Sequence, residues 1–193
     1  MNKKLQTISA QLSTSLELEP DTLHHCQRVR TLSLAIGENL GLTSSELTSL
    51  ACGSLLHDIG KKRIPREIVL KPTSLTEEEW ETMKQHPIHG WEYAKEQILA
   101  EDIQEIILHH HLWYDGSGGY PRNGHPRWPG YLTQIVSVAD VVDAMIHDRP
   151  YRRALSFDTS LDFLAEQSGT QFAPVVVESV ERNHKQFRKL LGA

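Results

Sequence analysis

Apolar residues recur along this chain at the three- and four-residue spacing of amphipathic helices, and no stretch alternates with period two between hairpin turns. The pattern predicts an all-α protein with almost no sheet. Pro20 suits the first turn of a helix whose stripe runs through His25, Val29, Leu32, Ile36 and Leu40 and stops at Gly41, which turns His25 toward the core. Thr43 and Glu46 form a capping box for a second helix through Leu47, Leu50, Ala51 and Ser54, which delivers His57-Asp58 at its end and stops at Gly60. Lys61, Lys62 and Arg63 then enter a loop containing Pro65 and Pro72. A further capping box, Thr76 with Glu79, opens a helix that ends near His86-Pro87, where the proline fixes a turn. Glu101 to His111 reads as helical, followed by a glycine-rich stretch from Asp115 to Pro121 and a loop through Gly130, the kind of segment where function concentrates. The next helix buries Leu132, Ile135, Val136, Ala139 and Val142 with Asp140 at its edge, and two more amphipathic helices follow. No internal repeat or low-complexity tract is visible.

A length of 193 residues suits one ordinary domain, read as a lead-in over 1–18 and a domain over 19–193. A formal charge of −5 and a pI near 6.1 supply no basic field for duplex nucleic acid, so a small phosphate ester is the better partner. No run of about 18 apolar residues suggests a membrane span, and Met1 to Ala10 lacks a secretory core, so the expectation is a soluble, cytoplasmic protein. Cys26 and Cys52 fall within apolar helical patterns and read as reduced core residues.

What changes the picture is a row of polar residues on otherwise apolar helix faces: His25, His57-Asp58, His86, His110-His111 and Asp140. Most of the eleven histidines in a chain like this would bind nothing, and His24, His89, His109, His125, His147 and His184 are read that way. The others gain weight from their order and company. Imidazole nitrogen and carboxylate oxygen hold first-row cations without any thiolate. Adjacent ligands such as His57 and Asp58 do not share one small sphere as an i, i+4 pair would, but an aspartate shared by two metals can bridge them. Two cations roughly 3.5–4 Å apart acidify a bridging water and offset charge on a phosphoryl group.

The ordered motifs are H-x-x-R-V at His25, H-D-x-G-K at His57, H-P-x-x-G at His86, H-H at His110, D-G-S-G-G-Y-P at Asp115, V-A-D-V-V-D-A at Val138, D-R-P-Y-R at Asp148 and G-T-Q-F-A-P at Gly169. Together they resemble the HD superfamily of metal-dependent phosphohydrolases, and its HD-GYP branch in particular, from about Asp21 to Ala173. The resemblance implies an HD-type helical bundle with a metal centre between core helices. It implies two or three divalent cations, iron or manganese, and metal-activated hydroxide attack on cyclic di-GMP to give linear pGpG or GMP. The expected ligands are His25, His57, Asp58, His86, His110, His111 and Asp140, with Asp58 bridging.

Other positions follow from their neighbours. Asp21 lies four residues before His25 on one helix face, where it either holds a third metal or complements the helix dipole. Asp143, one turn after Asp140, reads as a carboxylate that holds a ligating imidazole or an arginine in place. Lys61 is placed to reach the scissile phosphate and assist the leaving group, Arg149 and Arg152 to clamp phosphate, and Tyr120 to meet a guanine base or pack under its loop. Two departures from the HD-GYP pattern stand out: Leu112 replaces the glutamate that follows the histidine pair, and a glycine is added in G-S-G-G-Y-P. They leave two alternatives open: hydrolysis of another cyclic dinucleotide or nucleotide, or a catalytically weak module that binds a nucleotide, or a cyclase partner through the Gly-Tyr-Pro loop.

Overall fold

The computed structural model describes residues 18–122, 128–148 and 152–192, and these form ten α-helices and one 3₁₀ turn with no named strand. The lead-in expected over 1–18 lies almost wholly outside the described residues. Helix α1 spans Pro20–Asn39, α2 Ser44–Leu56, α3 Arg66–Val69, α4 Glu77–Met83, α5 His86–Glu96 and α6 Glu101–His109. Helix α7 spans Tyr131–Ile146, α8 Phe157–Glu166, α9 Pro174–Arg182 and α10 His184–Leu191, while the 3₁₀ turn covers Ile59–Arg63. None of these helices is long and apolar enough to cross a membrane.

Local signals explain the helix starts. Pro20 occupies the first turn of α1, and both capping boxes are formed, Thr43 with Glu46 on α2 and Thr76 with Glu79 on α4. Gly41, at φ +74°, takes the left-handed turn after α1. Four expectations need correction. Lys61, Lys62 and Arg63 wind into the 3₁₀ turn instead of a loop, and Gly60 lies inside that turn rather than stopping a helix. His86-Pro87 begins α5, because a proline in a first helical turn loses no hydrogen bond. The last amphipathic stretch breaks at Asn183, giving three helices where two were expected.

Helix α7 is the central element, buried almost continuously from Thr133 to Asp143. Its Ile135, Val136, Val138, Ala139 and Val142 join Val29, Leu32 and Ile36 of α1, and Phe172, Val176 and Phe187 from the C-terminal part, in one apolar cluster. A second cluster joins Cys26, Leu55, Leu56, Ile59, Ala94 and Ile107. Helix α1 feeds both clusters. Burying each such side chain is worth roughly 1.5–3 kcal/mol, which supports the cost of seating a polar group between them.

One contact ties the turn to α5. A Cβ on Gly60 would lie 1.9 Å from the His86 carbonyl oxygen and 2.5 Å from Gly90 N, so two backbones touch where only glycine fits. That contact sets the spacing between Asp58 and His86.

Candidate metal centre

Three helix ends converge on one point. His57 caps α2, His86 opens α5 three residues beyond the end of α4, and His110 caps α6. In each, Nδ1 donates to the carbonyl three residues back, at Ser54 (2.7 Å), Met83 (2.8 Å) and Ile107 (2.9 Å). A neutral imidazole whose Nδ1 carries the proton presents Nε2 as a bare lone pair, so the backbone fixes both the ring and its tautomer. His25 reaches in from α1 and Asp140 from α7, and all of these side chains are buried, while His111, next to His110, is half-buried.

The two carboxylates straddle the histidines. Asp58 Oδ2 lies 3.5 Å from His57 Nε2 and 3.8 Å from His25 Nε2, while its Oδ1 lies 3.3 Å from His86 Nε2. Asp140 directs Oδ1 toward His25 Nε2 (3.0 Å) and His57 Nε2 (3.9 Å), and Oδ2 toward His111 Nδ1 (4.0 Å). Two groups therefore have the donor spacing to hold a cation: His25, His57 and Asp58, and His86, His110 and His111.

The donor chemistry fits metal ions. His57 Nε2 is buried and has no hydrogen-bond partner among the described residues. His86 Nε2 and His110 Nε2 face each other at 3.3 Å, both as lone pairs because both Nδ1 atoms are the donors. Two facing acceptors are satisfied by a cation between them.

Electrostatics keep the candidate ligands in forms that can bind a cation. Burial holds His86 down to about 3 and His111 down to about 4, and it pushes His57 and His110 below the ordinary imidazole range. Burial alone would raise Asp58 and Asp140, but Lys61 and the histidines around Asp58, and chiefly His25 beside Asp140, drive both well below the usual carboxylate range. His25 is the exception: burial lowers it, yet hydrogen bonds to Asp140 and Asp143 outweigh that and raise it. A depressed histidine withholds in the folded state a proton that the unfolded chain takes up below about pH 6.5, so it removes stability as pH falls through that window. His25 acts in the opposite sense, but four histidines oppose it. The metal-free protein is therefore expected to unfold at a lower urea concentration at pH 5 than at pH 7, and an equal or higher midpoint at pH 5 would contradict the neutral assignment.

Behind the cluster, Asp143 is fully buried and accepts from His25 Nδ1 at 2.7 Å and from Arg28 Nε at 2.7 Å and Nη2 at 3.0 Å. It holds an imidazole and an arginine together, and His147 Nδ1 donates to its backbone carbonyl at 3.0 Å and lies 3.2 Å from Oδ1. Neither Arg28 nor His147 stands out as functional from the residue pattern alone; the signal for Arg28 is its place in H-x-x-R, one turn after His25. Arg28→Met is expected to cost about 2 kcal/mol, discounted because the guanidinium is part-exposed, and to weaken metal binding about 10–100-fold by freeing His25. Urea titration and metal competition measure the two effects.

The remaining expected positions divide. Lys61 Nζ lies 2.6 Å from Asp58 Oδ2, beside the cluster. Tyr120 stacks on His111 with ring centroids 4.6 Å apart, and burial keeps its phenol protonated. Arg152 does not face the cluster in this conformation; its guanidinium donates to the carbonyls of Ala144, Met145 and Arg153, closing the end of α7. Arg149 lies outside the described residues. Asp21 is exposed in the first turn of α1 and is not part of either ligand group. Leu112 is buried, so the position of the absent glutamate has become packing.

A family model described as HD domain matches residues 10–176. The chain belongs to the HD domain family. The cyclic di-GMP phosphodiesterase response regulator RpfG of Xanthomonas campestris pv. campestris is 36% identical over 168 residues, 86% of this chain and 44% of that protein. A cyclic di-GMP phosphodiesterase of Thermotoga maritima is 37% identical over 169 residues, 86% of this chain and 45% of that protein. The chain thus spans less than half the length of these relatives. Among solved structures, that of a cyclic GMP-AMP-specific phosphodiesterase of Vibrio cholerae shares the all-α HD fold with a TM-score of 0.69, covering 97% of this chain and 50% of that one at 20% identity.

Proposed function

We propose that the domain is a metal-dependent phosphodiesterase that hydrolyses cyclic di-GMP to linear pGpG or GMP. The observation that carries the reading is Asp58, one carboxylate facing both histidine groups with different oxygens. The cyclic di-GMP phosphodiesterases at 36% and 37% identity support the choice of substrate.

His25, His57, Asp58 and Asp140 would hold one cation and His86, His110, His111 and Asp58 the other, with Asp140 reaching toward His111. Iron and manganese suit these nitrogen and oxygen donors. Such cations would acidify a water and offset the charge that grows on the phosphoryl oxygens. Two ions match the two ligand groups, and the exposed position of Asp21 favours two over three.

The chain's own residues supply the rest. Lys61 keeps Asp58 ionised and lies against the ligand cluster, so its Nζ would donate to a phosphate oxygen and steady the leaving group. Arg149 would clamp phosphate, and Arg152 would join it only after releasing the α7 carbonyls. Tyr120 packs against His111 and closes one side of the site, which favours a role toward substrate over the docking of a cyclase. Free thiols at Cys26 and Cys52 suit a cytoplasmic setting, and the enzymatic unit is taken as residues 19–193.

Turnover of cyclic di-GMP, 3′3′-cGAMP and cyclic di-AMP by anaerobically iron- or manganese-loaded protein, with products separated by chromatography, tests the proposal. The expected result is metal-dependent pGpG or GMP, with cyclic di-GMP consumed fastest. Loaded protein that leaves cyclic di-GMP intact would contradict it.

A further inference from the structure

A cleft of about 470 Å³ opens beside the histidines, large enough for part of a nucleotide. His111 lies at its floor, and Trp80, Lys84, Trp113, Tyr120 and Gln171 are among its walls. The catalytic reading uses none of Trp80, Lys84, Trp113 or Gln171.

Trp113 is the distinctive wall. A Cβ placed on Gly118 would meet Trp113 Cδ2 at 2.4 Å, Cε3 at 2.5 Å and Cε2 at 2.7 Å. Three ring atoms at nearly equal distance, with the fusion carbon nearest, put Gly118 over the face of the six-membered ring and not at its edge. The glycine thus backs one face of the half-buried indole, which lines the cleft, so the opposite face is the one a ligand there can meet. The hairpin that brings them together is pinned by Trp113 N donating to the Gly118 carbonyl and Tyr120 N donating to the His111 carbonyl. Gly119, at φ +82° and with no room for a Cβ beside the His111 carbonyl oxygen, lets it close. The glycine pair in G-S-G-G-Y-P therefore has a physical use: one glycine makes the turn and the other makes space for an indole.

The other aromatic walls have ring neighbours of their own. Tyr120 already stacks on His111, and Trp80, 45% exposed, meets Tyr120 edge to face with centroids 6.0 Å apart. Trp113 follows His111 by two residues, at most about 7 Å of extended chain, so a group on its face lies within a nucleotide's reach of the ligand cluster. A flat, rigid, apolar face beside a phosphate-binding centre is suited to stacking a nucleobase.

We propose that Trp113, backed by Gly118, is the platform on which one purine base of the cyclic dinucleotide stacks, with Lys84 and Gln171 providing hydrogen-bonding groups at the rim. The inference rests on the phosphodiesterase reading and adds a specificity-determining residue to it. Stacking uses the π-face that every base has, so the platform binds guanine and adenine alike and selects purine dinucleotides over phosphodiesters with no base.

The test compares wild type, Trp113→Ala and Trp113→Phe, each confirmed as folded by circular dichroism, in steady-state turnover of cyclic di-GMP and cyclic di-AMP. Bis(p-nitrophenyl) phosphate reports on the chemistry alone. Tryptophan emission during titration of the metal-free protein with cyclic di-GMP gives a readout independent of turnover. The expected result for Trp113→Ala is a KM raised about ten-fold or more for whichever dinucleotides the wild type accepts, with kcat within about three-fold. Trp113→Phe should recover most of the loss, and the quenching seen in wild type should shrink in both variants. If wild type hydrolyses a cyclic dinucleotide and Trp113→Ala keeps its KM within about two-fold, the platform is overturned and the phosphodiesterase reading stands. If wild type cleaves bis(p-nitrophenyl) phosphate but neither hydrolyses nor binds a cyclic dinucleotide, both fall.

Discussion

Asp58→Ala is expected to lower cyclic di-GMP turnover by more than about 10³-fold, the equivalent of roughly 4 kcal/mol of transition-state stabilisation. The size follows from its position. Asp58 faces His57 and His25 through one oxygen and His86 through the other, so its removal deprives both ligand groups of a negative charge at once. It also strips Lys61 of its partner at 2.6 Å, leaving an ammonium that burial disfavours. Steady-state kinetics and metal content measured on the same sample separate the causes. Loss of bound metal together with loss of turnover is the expected pair, whereas full metal content with unchanged turnover would show that Asp58 is not shared.

Gly60→Ala is expected to cost about 3 kcal/mol or more, although it adds only one methyl group. The new Cβ would have to sit 1.9 Å from the His86 carbonyl oxygen and 2.5 Å from Gly90 N, and neither is a side chain that can swing aside. The 3₁₀ turn must lift away from α5, which separates Asp58 from His86. Weaker metal binding should therefore accompany the lower urea midpoint. Gly41→Ala is the informative comparison: it meets nothing within 4 Å and is strained only by its φ of +74°, so it should cost about 1 kcal/mol and leave metal binding unchanged. Equal effects at the two glycines would contradict the close-contact explanation.

Much of this was legible in the sequence, because its signals are local. The capping boxes at Thr43 and Thr76, Pro20 in a first turn and Gly41 after a last one mark helix ends by short-range chemistry, and the structure forms all of them. The ligand residues stood out because they interrupt apolar faces in a fixed order. What was misread depends on contacts between distant segments. Gly60 resembled a helix stop because its true neighbours, His86 and Gly90, lie beyond both α3 and α4 along the chain. His86-Pro87 resembled a helix end, since a proline that starts a helix and one that follows a helix are locally alike. The carbonyl contacts that Arg152 makes at the end of α7 are likewise invisible in D-R-P-Y-R, which shows only that two guanidiniums lie close together. The platform at Trp113 needed two residues five apart to meet through a hairpin, which no periodicity announces.

The departures from the HD-GYP pattern also take on physical meaning. Leu112 sits in the apolar interior, and the Ser137 hydroxyl donates to the His110 carbonyl from α7. The histidine pair is thus braced by backbone contacts instead of by a following carboxylate.

Anomalous scattering from manganese-loaded crystals of the wild-type domain tests the shared-carboxylate centre most directly. The predicted result is two peaks roughly 3.5–4 Å apart, one against His25 and His57, the other against His86 and His110, with Asp58 bound to both. A single peak, or two that do not share Asp58, would contradict it.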